Sequence, residues 1–380
     1  MDFLLSEREL TLQAIFRKFA SEEVAPLARQ IESDRGVTKE SIKKLGRTNF
    51  FAMALPKVYG GQGESVLSSV IAVEELAQAS AGLALVFIEN IIAAQIIAYH
   101  CPEPLKSKYL GPLLRGEILG GWGFSEPKGG SHPNAIETTA VANGRHYIIN
   151  GVKEFITGAP MVDVMIVYAK TKSNKLGAFI VERTMDGFQF AKEEEMMGLH
   201  GAACGQLLLK EVYVPKANCI GLEGDGVKIL NFVAPKAKNF TAAVCLGLTE
   251  AVFNCSREYA RQRTYQGAPI SQFQMVQKRI ARIAAQLQAG RWMVYWGAFL
   301  QESGRLTNVE ASLIKSYLSQ IALECAEDAF RIHGARGYTK DGDIERLYRD
   351  AIGLQVTMMG NDANDAVVGA ALLDHVELSR

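Results

Sequence analysis

The hydrophobic period of this chain changes twice along its length, and that change limits the folds open to it. Apolar residues recur at helical spacing in the early segments LTLQAIFRKFASEEVAPLARQI and VLSSVIAVEELAQA. They alternate instead in RHYIING, VKEFIT, VDVMIVYAK, GAFIVER and QLLLKEVYVP. The helical period then returns in NFTAAVCLGLTEAVFNCSREYARQR, QMVQKRIARIAAQLQAGRWMVYWGAFLQES and NVEASLIKSYLSQIALECAEDAFRIHG. Helix and strand place side chains on one face at different intervals, so the order predicts an α+β chain in three parts. These are a helical domain over 1–117, an antiparallel β domain over 118–225 and a helical bundle over 226–380. A length of 380 residues agrees with more than one core. VYGGQGES links two of the early helices, and Asn143-Gly144 and Asn150-Gly151 predict hairpin turns.

The longest apolar run, AGLALVFIENIIAAQIIAYH, contains Glu89, Asn90 and Gln95, which predicts a buried helix rather than a membrane span. Lys plus Arg and Asp plus Glu are 41 each, so no basic field favours nucleic acid or an anionic membrane. Acidic residues within the first ten do not suit a signal peptide. The six cysteines form no CxxC pair, the pattern of reduced core residues, and a cytoplasmic location is expected. His100, His132, His146, His200 and His333 lack metal-ligand spacing, and no metal is expected.

Five motifs fall in order across these regimes: GWGFSEPKGGS, EFIT, GLEGDGVKIL, QRTYQGAPISQFQ and DAFRIHGARGYTKDGDIERLYRD. Together they closely resemble the acyl-CoA dehydrogenase family of flavoproteins over essentially the whole chain. The resemblance implies an N-terminal helical domain, a middle β-barrel and a C-terminal four-helix bundle. It also implies FAD, an acyl-thioester oxidoreductase of the EC 1.3 class, an electron acceptor, and a homodimer or homotetramer whose flavin sites are completed by a second subunit. RIHGARGY, RDAIG and ITGAPMVDV look most like the biosynthetic branch, whose members often act on acyl groups held by a carrier protein rather than CoA.

The resemblance assigns Ser125, with the backbone around Trp122 and Phe124, to the isoalloxazine edge. Gly130 and Ser131 would let backbone approach the cofactor or thioester arm, although His132 stands where the family has aspartate. EFIT replaces the family's WIT, so Phe155 would pack on the flavin and Thr157 would bond its N5 region. Arg263, Gln274 and the loop containing Arg331 and Gly334 form the second-subunit set. Arg263 offers a fork for pyrophosphate or, equally, a solvated charge at a basic helix end. Gln266 takes the place of a family phenylalanine, and Asn361 is assigned to the cofactor.

One expected residue is missing. The family reaction removes an α-proton with a carboxylate while hydride leaves the β-carbon for flavin N5. That carboxylate belongs to an EGT motif, and here the position falls on Met359-Gly360-Asn361 in VTMMGNDAND, or on Met358 if the loop has no insertion. The alternative family position, on the first bundle helix, falls on Ala237-Lys238. Lys238 itself is expected on the bundle surface, with pairing to an acidic substrate group as the alternative. The base has therefore moved, or the substrate needs little base, as in redox-neutral elimination with structural FAD, or the chain is a silent scaffold. Glu89, an acid in an apolar run, and Asp362, just past the empty position, are the candidate relocated bases. Each also has an ordinary role open to it: Glu89 as an acid satisfied by Asn90 or a lysine, Asp362 as a helix N-cap. The Met359 N–H remains available to polarise a thioester carbonyl whatever its side chain.

Overall fold

Ser6 and Glu9 exchange hydrogen bonds to open the first helix, α1 (Glu7–Phe19), as a capping box. The computed structural model describes residues 4–34, 39–53, 55–129 and 132–379, so Gly130 and Ser131 lie outside it. Helices α2 (Ala25–Asp34), α3 (Lys39–Gly46), α4 (Val66–Ala79), α5 (Ala81–His100) and α6 (Glu103–Leu114) complete the first domain. The α5 helix is long and apolar enough to cross a membrane, yet its apolar window is wholly enclosed by protein. Its N-terminus is capped by the Ser80 hydroxyl, which accepts from Leu83 N at 3.3 Å.

The middle domain holds β1 (Gly120–Gly123), β2 (Thr139–Asn143), β3 (His146–Ile156), β4 (Val164–Thr171), β5 (Leu176–Glu182), β6 (Phe188–Glu193) and β7 (Gly205–Pro215). They form one curled sheet in the order β1-β4-β2-β3-β7-β6, with β5 on the other side of β4. Pairing is antiparallel except that β1 and β2 both run parallel to β4. The wholly antiparallel expectation fails at those two pairs because no hairpin joins the strands, so nothing forces reversal. Asn143-Gly144 makes the expected turn, with Asn143 opposite His146 and Gly144 at φ +56. Asn150-Gly151 does not turn. It bulges within β3, where Asn150 Oδ1 accepts from Glu211 N at 2.9 Å and a Cβ on Gly151 would strike Thr138 Oγ1 at 2.2 Å.

Helix α7 (Gly226–Gln262) begins the last domain and packs on α8 (Gln274–Glu302), α9 (Asn308–His333) and α10 (Ile344–Val356). The short strands β8 (Thr264–Tyr265) and β9 (Ala268–Pro269) separate α7 from α8, and α11 (Asn361–Leu373) packs on α9. Helix α7 also lies against α4, so closely that a Cβ on Gly247 would stand 2.2 Å from the Glu74 carbonyl oxygen. Arg291 of α8 ties the same junction by donating to Glu74 at 2.9 Å and Glu250 at 2.7 Å. The middle domain is fastened to α10 by Leu199 N on Asp350 Oδ1 at 2.5 Å and by Arg349 on the Met197 carbonyl at 2.9 Å.

Candidate active site

The α5 helix carries Glu89 into the seam between the helical and middle domains. The next residue sets its height: Asn90 accepts from Gly120 N at 2.8 Å and donates to the Leu113 carbonyl at 2.9 Å, clamping β1 to the helix. That amide is therefore committed and does not satisfy Glu89. Glu89 is 7% exposed, accepts from the Trp122 backbone N–H, and leaves Oε2 without a partner among the described residues. Burial pushes its carboxyl up to about 8, opposed only by that one amide. Cys204 lies within its field, and Cys204 Sγ is 4.0 Å from Thr157 Oγ1. Four groups from different elements thus converge: Glu89, Trp122, Thr157 and Cys204.

The wall beside them is built by β1 and β3. Ser125 accepts from Glu154 N at 3.0 Å through its carbonyl, joining the two strands. Beneath it Lys153, fully enclosed, donates to Glu126 Oε1 at 2.7 Å, the Tyr168 carbonyl at 2.7 Å and the Phe124 carbonyl at 3.3 Å. Burial opposes the ionised form of Glu126, but Lys153, Thr138 and the Glu137 amide outweigh it and hold the carboxyl below its usual range. Burial pulls the Lys153 ammonium down to about 8 against the attraction of Glu126. A register shift after Lys153 then turns Phe155 outward, 57% exposed and at φ +54. A bulky residue in that region is strained, by about 1–3 kcal/mol, and such strain persists where the surroundings hold it in place. Trp122 is half-buried with its buried indole N–H directed to the Tyr168 hydroxyl, while Phe124 is buried against Tyr168 with ring centroids 5.3 Å apart. His132 substitutes for an aspartate cap, its Nδ1 accepting from Asn134 N at 3.3 Å.

The turn at the empty base position is held from below. Met358 and Met359 both have positive φ, 51 and 74. Lys315, fully enclosed, donates to the carbonyls of Gln355 and Met359 at 3.0 Å each and to Asn361 Oδ1 at 2.9 Å. Asn361 Oδ1 also accepts from Ser319 at 2.9 Å, which gives this residue a framework role and leaves only its Nδ2 for a cofactor. The Met359 N–H makes no hydrogen bond among the described residues. Asp362 is exposed in the first turn of α11, and the N-cap is Gly360 rather than Asp362. Lys238 is not at the surface: it is 5% exposed, because the stripe of α7 that carries it packs on α9.

A third group lies apart. Arg263, Arg331 and Gly334 line one cleft of about 560 Å³ with Tyr259, His333 and Arg336. Gln266, at φ +51 on the β8–β9 turn, and Gln274, first in α8, are exposed and do not line it. Nor do Ser125, Phe155 or Thr157, so the described residues carry two separate halves of the set assigned to FAD. An outward aromatic face beside the Thr157 hydroxyl fits an isoalloxazine, and a cleft of arginines fits a pyrophosphate. Lys153, Glu126, Lys315 and Asp350 escaped the sequence reading. Counting by two from Tyr147 and Ile149 places Lys153 inward, and Lys315 lies on the apolar stripe of Ala311, Leu318 and Ala322.

Among the described residues no group of three metal-ligating side chains comes together. Three family models match in order: acyl-CoA dehydrogenase N-terminal domain at residues 6–117, middle domain at 121–212 and C-terminal domain at 236–363. The chain is 34% identical to a short-chain-specific acyl-CoA dehydrogenase of Clostridium acetobutylicum, over 92% of this chain and 94% of that one. It is 33% identical to a 3-(aryl)acrylate reductase of Clostridium sporogenes, over 98% and 100%. Butyryl-CoA dehydrogenase from Megasphaera elsdenii superposes with a TM-score of 0.95 at 32% identity, over 98% of this chain and 100% of that one. With every domain matched and the relatives being dehydrogenases and reductases, the chain belongs to the acyl-CoA dehydrogenase family of FAD-dependent oxidoreductases.

Proposed function

We propose that this protein catalyses α,β-dehydrogenation of an acyl thioester with Glu89 as the proton-accepting group. The carrying observation is the Glu89 carboxyl, buried, half-unpartnered among the described residues and raised to about 8, in the same seam as Trp122 and Thr157. FAD, when bound, supplies the hydride acceptor. Phe155 and Thr157 offer a flat surface and a donor that position the ring, while Arg263 and Arg331 hold its phosphates in a partner subunit of a homo-oligomer. Met359 N–H, free of other partners among the described residues, donates to the thioester carbonyl and acidifies the α-proton. Glu89 takes that proton, and the surrounding apolar helix excludes water. RIHGARGY, RDAIG and ITGAPMVDV favour an acyl group on a carrier protein over one on CoA.

The raised carboxyl favours a second reading as well. An acid still protonated at neutral pH can deliver a proton to the α-carbon of an unsaturated thioester, the reverse reaction. Both directions need the same residue, and α-proton exchange in D₂O tests it directly. Wild-type protein should wash deuterium into a saturated acyl thioester, and Glu89→Gln should slow this by about 10²–10⁴. Exchange at the wild-type rate in Glu89→Gln, with loss in Asp362→Asn, would transfer the role to Asp362.

A further inference from the structure

Two buried lysines stand beside the two positions where a base carboxylate was expected and none is found. Lys315 carries the Met359 turn, and Lys238 follows Ala237 on α7. Lys315 is saturated, its three N–H groups taken by Gln355, Met359 and Asn361. Lys238 donates to Asn308 Oδ1 and Ser312 Oγ, each at 2.8 Å, and its third N–H has no acceptor among the described residues. None of these five acceptors is a carboxylate. Asp365 acts on Lys315 only from a distance, since its Oδ1 is taken by Ser316 at 2.5 Å. Burial pulls both ammonium groups down to about 8, and Lys315 adds its repulsion to Lys238.

Holding two like charges in an enclosed site with neutral acceptors alone is unfavourable, and an arriving anion relieves it. With Met359 and Ala237 both apolar and the Asp365 carboxylate bonded to Ser316, a carboxylate in direct contact with Lys238 comes with the ligand. We propose that Lys238 is a specificity-determining residue whose uncommitted N–H receives a carboxylate on the acyl group, so that the protein takes dicarboxylic acyl thioesters. Lys315 contributes its field and the shape of the turn but no direct contact. The inference rests on the acyl-thioester reading and narrows its substrate class. A charge-assisted bond in an enclosed site is the kind of contact that separates glutaryl from butyryl chains of similar length.

The test titrates FAD-loaded protein with glutaryl-pantetheine and butyryl-pantetheine thioesters, following perturbation of the flavin absorbance. Wild type should bind the glutaryl compound at least about tenfold more tightly, a difference of about 1.4 kcal/mol. Lys238→Met should bring the two to parity, and Lys238→Arg should keep most of the preference. If Lys238→Met fails to retain flavin, Lys238→Gln serves the same comparison. Equal affinities in the wild type, or a preference that survives loss of the ammonium group, overturn the proposal. Bleaching with equal affinities would leave dehydrogenation standing and remove the lysine; selective binding without bleaching would do the reverse.

Discussion

Among the described residues Glu89 has one amide donor and an oxygen without a partner, so its proton is held up to about pH 8. In the unfolded chain it would be lost near 4.5. The native state therefore binds the extra proton between those values. The contribution of Glu89 to stability is fully present below about 4.5 and is lost as pH rises through about 8. Denaturant unfolding across this range should show wild type losing stability with pH relative to Glu89→Gln, the gap widening up to about pH 8. The sequence made this residue visible because an acid inside AGLALVFIENIIAAQ has no surface to face. It did not reveal that Asn90 is spent on Gly120 and Leu113, because those partners are 30 and 23 residues away. Lys238 is hidden for a related reason: a lysine one position from a helical stripe looks solvated until the neighbouring helix α9 is in place.

At the scale of elements, the β1–β3 wall is held by Lys153 reaching Glu126 and two carbonyls. Replacing it with methionine strands a buried carboxylate, and removing one partner of such a pair typically destabilises by about 3–5 kcal/mol. Lys153→Met should therefore lower the unfolding midpoint and release FAD more readily, and adding Glu126→Gln should recover part of both. An unchanged midpoint in Lys153→Met would mean the pair contributes nothing to the wall. Strand identities and the Asn143-Gly144 turn were legible from alternation and turn chemistry. The Asn150-Gly151 bulge was not, because the same dipeptide serves a turn or a bulge according to what packs above it, here Thr138. The outward, strained placement of Phe155 likewise depends on a register shift with no local signature.

Across the whole molecule, the three domains are joined by charged ties rather than by apolar contact alone. Arg291 bridges α4 and α7, and Arg349 and Asp350 of the RDA segment hold the loop before β7. Motif order across the chain made the three-part architecture readable; the paired roles within RDA were not, since Leu199 and Met197 both lie in the middle domain. The arginine cleft stands apart from Ser125, Phe155 and Thr157, which supports the proposal that each flavin is shared between subunits. Arg263→Ala should then lower FAD content without altering the folded core, measured as the flavin-to-protein absorbance ratio. Dilution below the dissociation constant of the subunit contact should do the same in wild type. Flavin retained at full content by a dilute monomer would contradict the shared site.

The central claim is that a thioester α-proton leaves to Glu89. Its most direct test is the anaerobic visible spectrum of the FAD-loaded protein after addition of saturated acyl-CoA and acyl-carrier thioesters. Wild type should bleach, at a rate that rises with pH and levels near 8 as the carboxyl ionises, while Glu89→Gln keeps its oxidised flavin band. A wild-type flavin that no thioester bleaches, or equal bleaching in Glu89→Gln, would contradict the account.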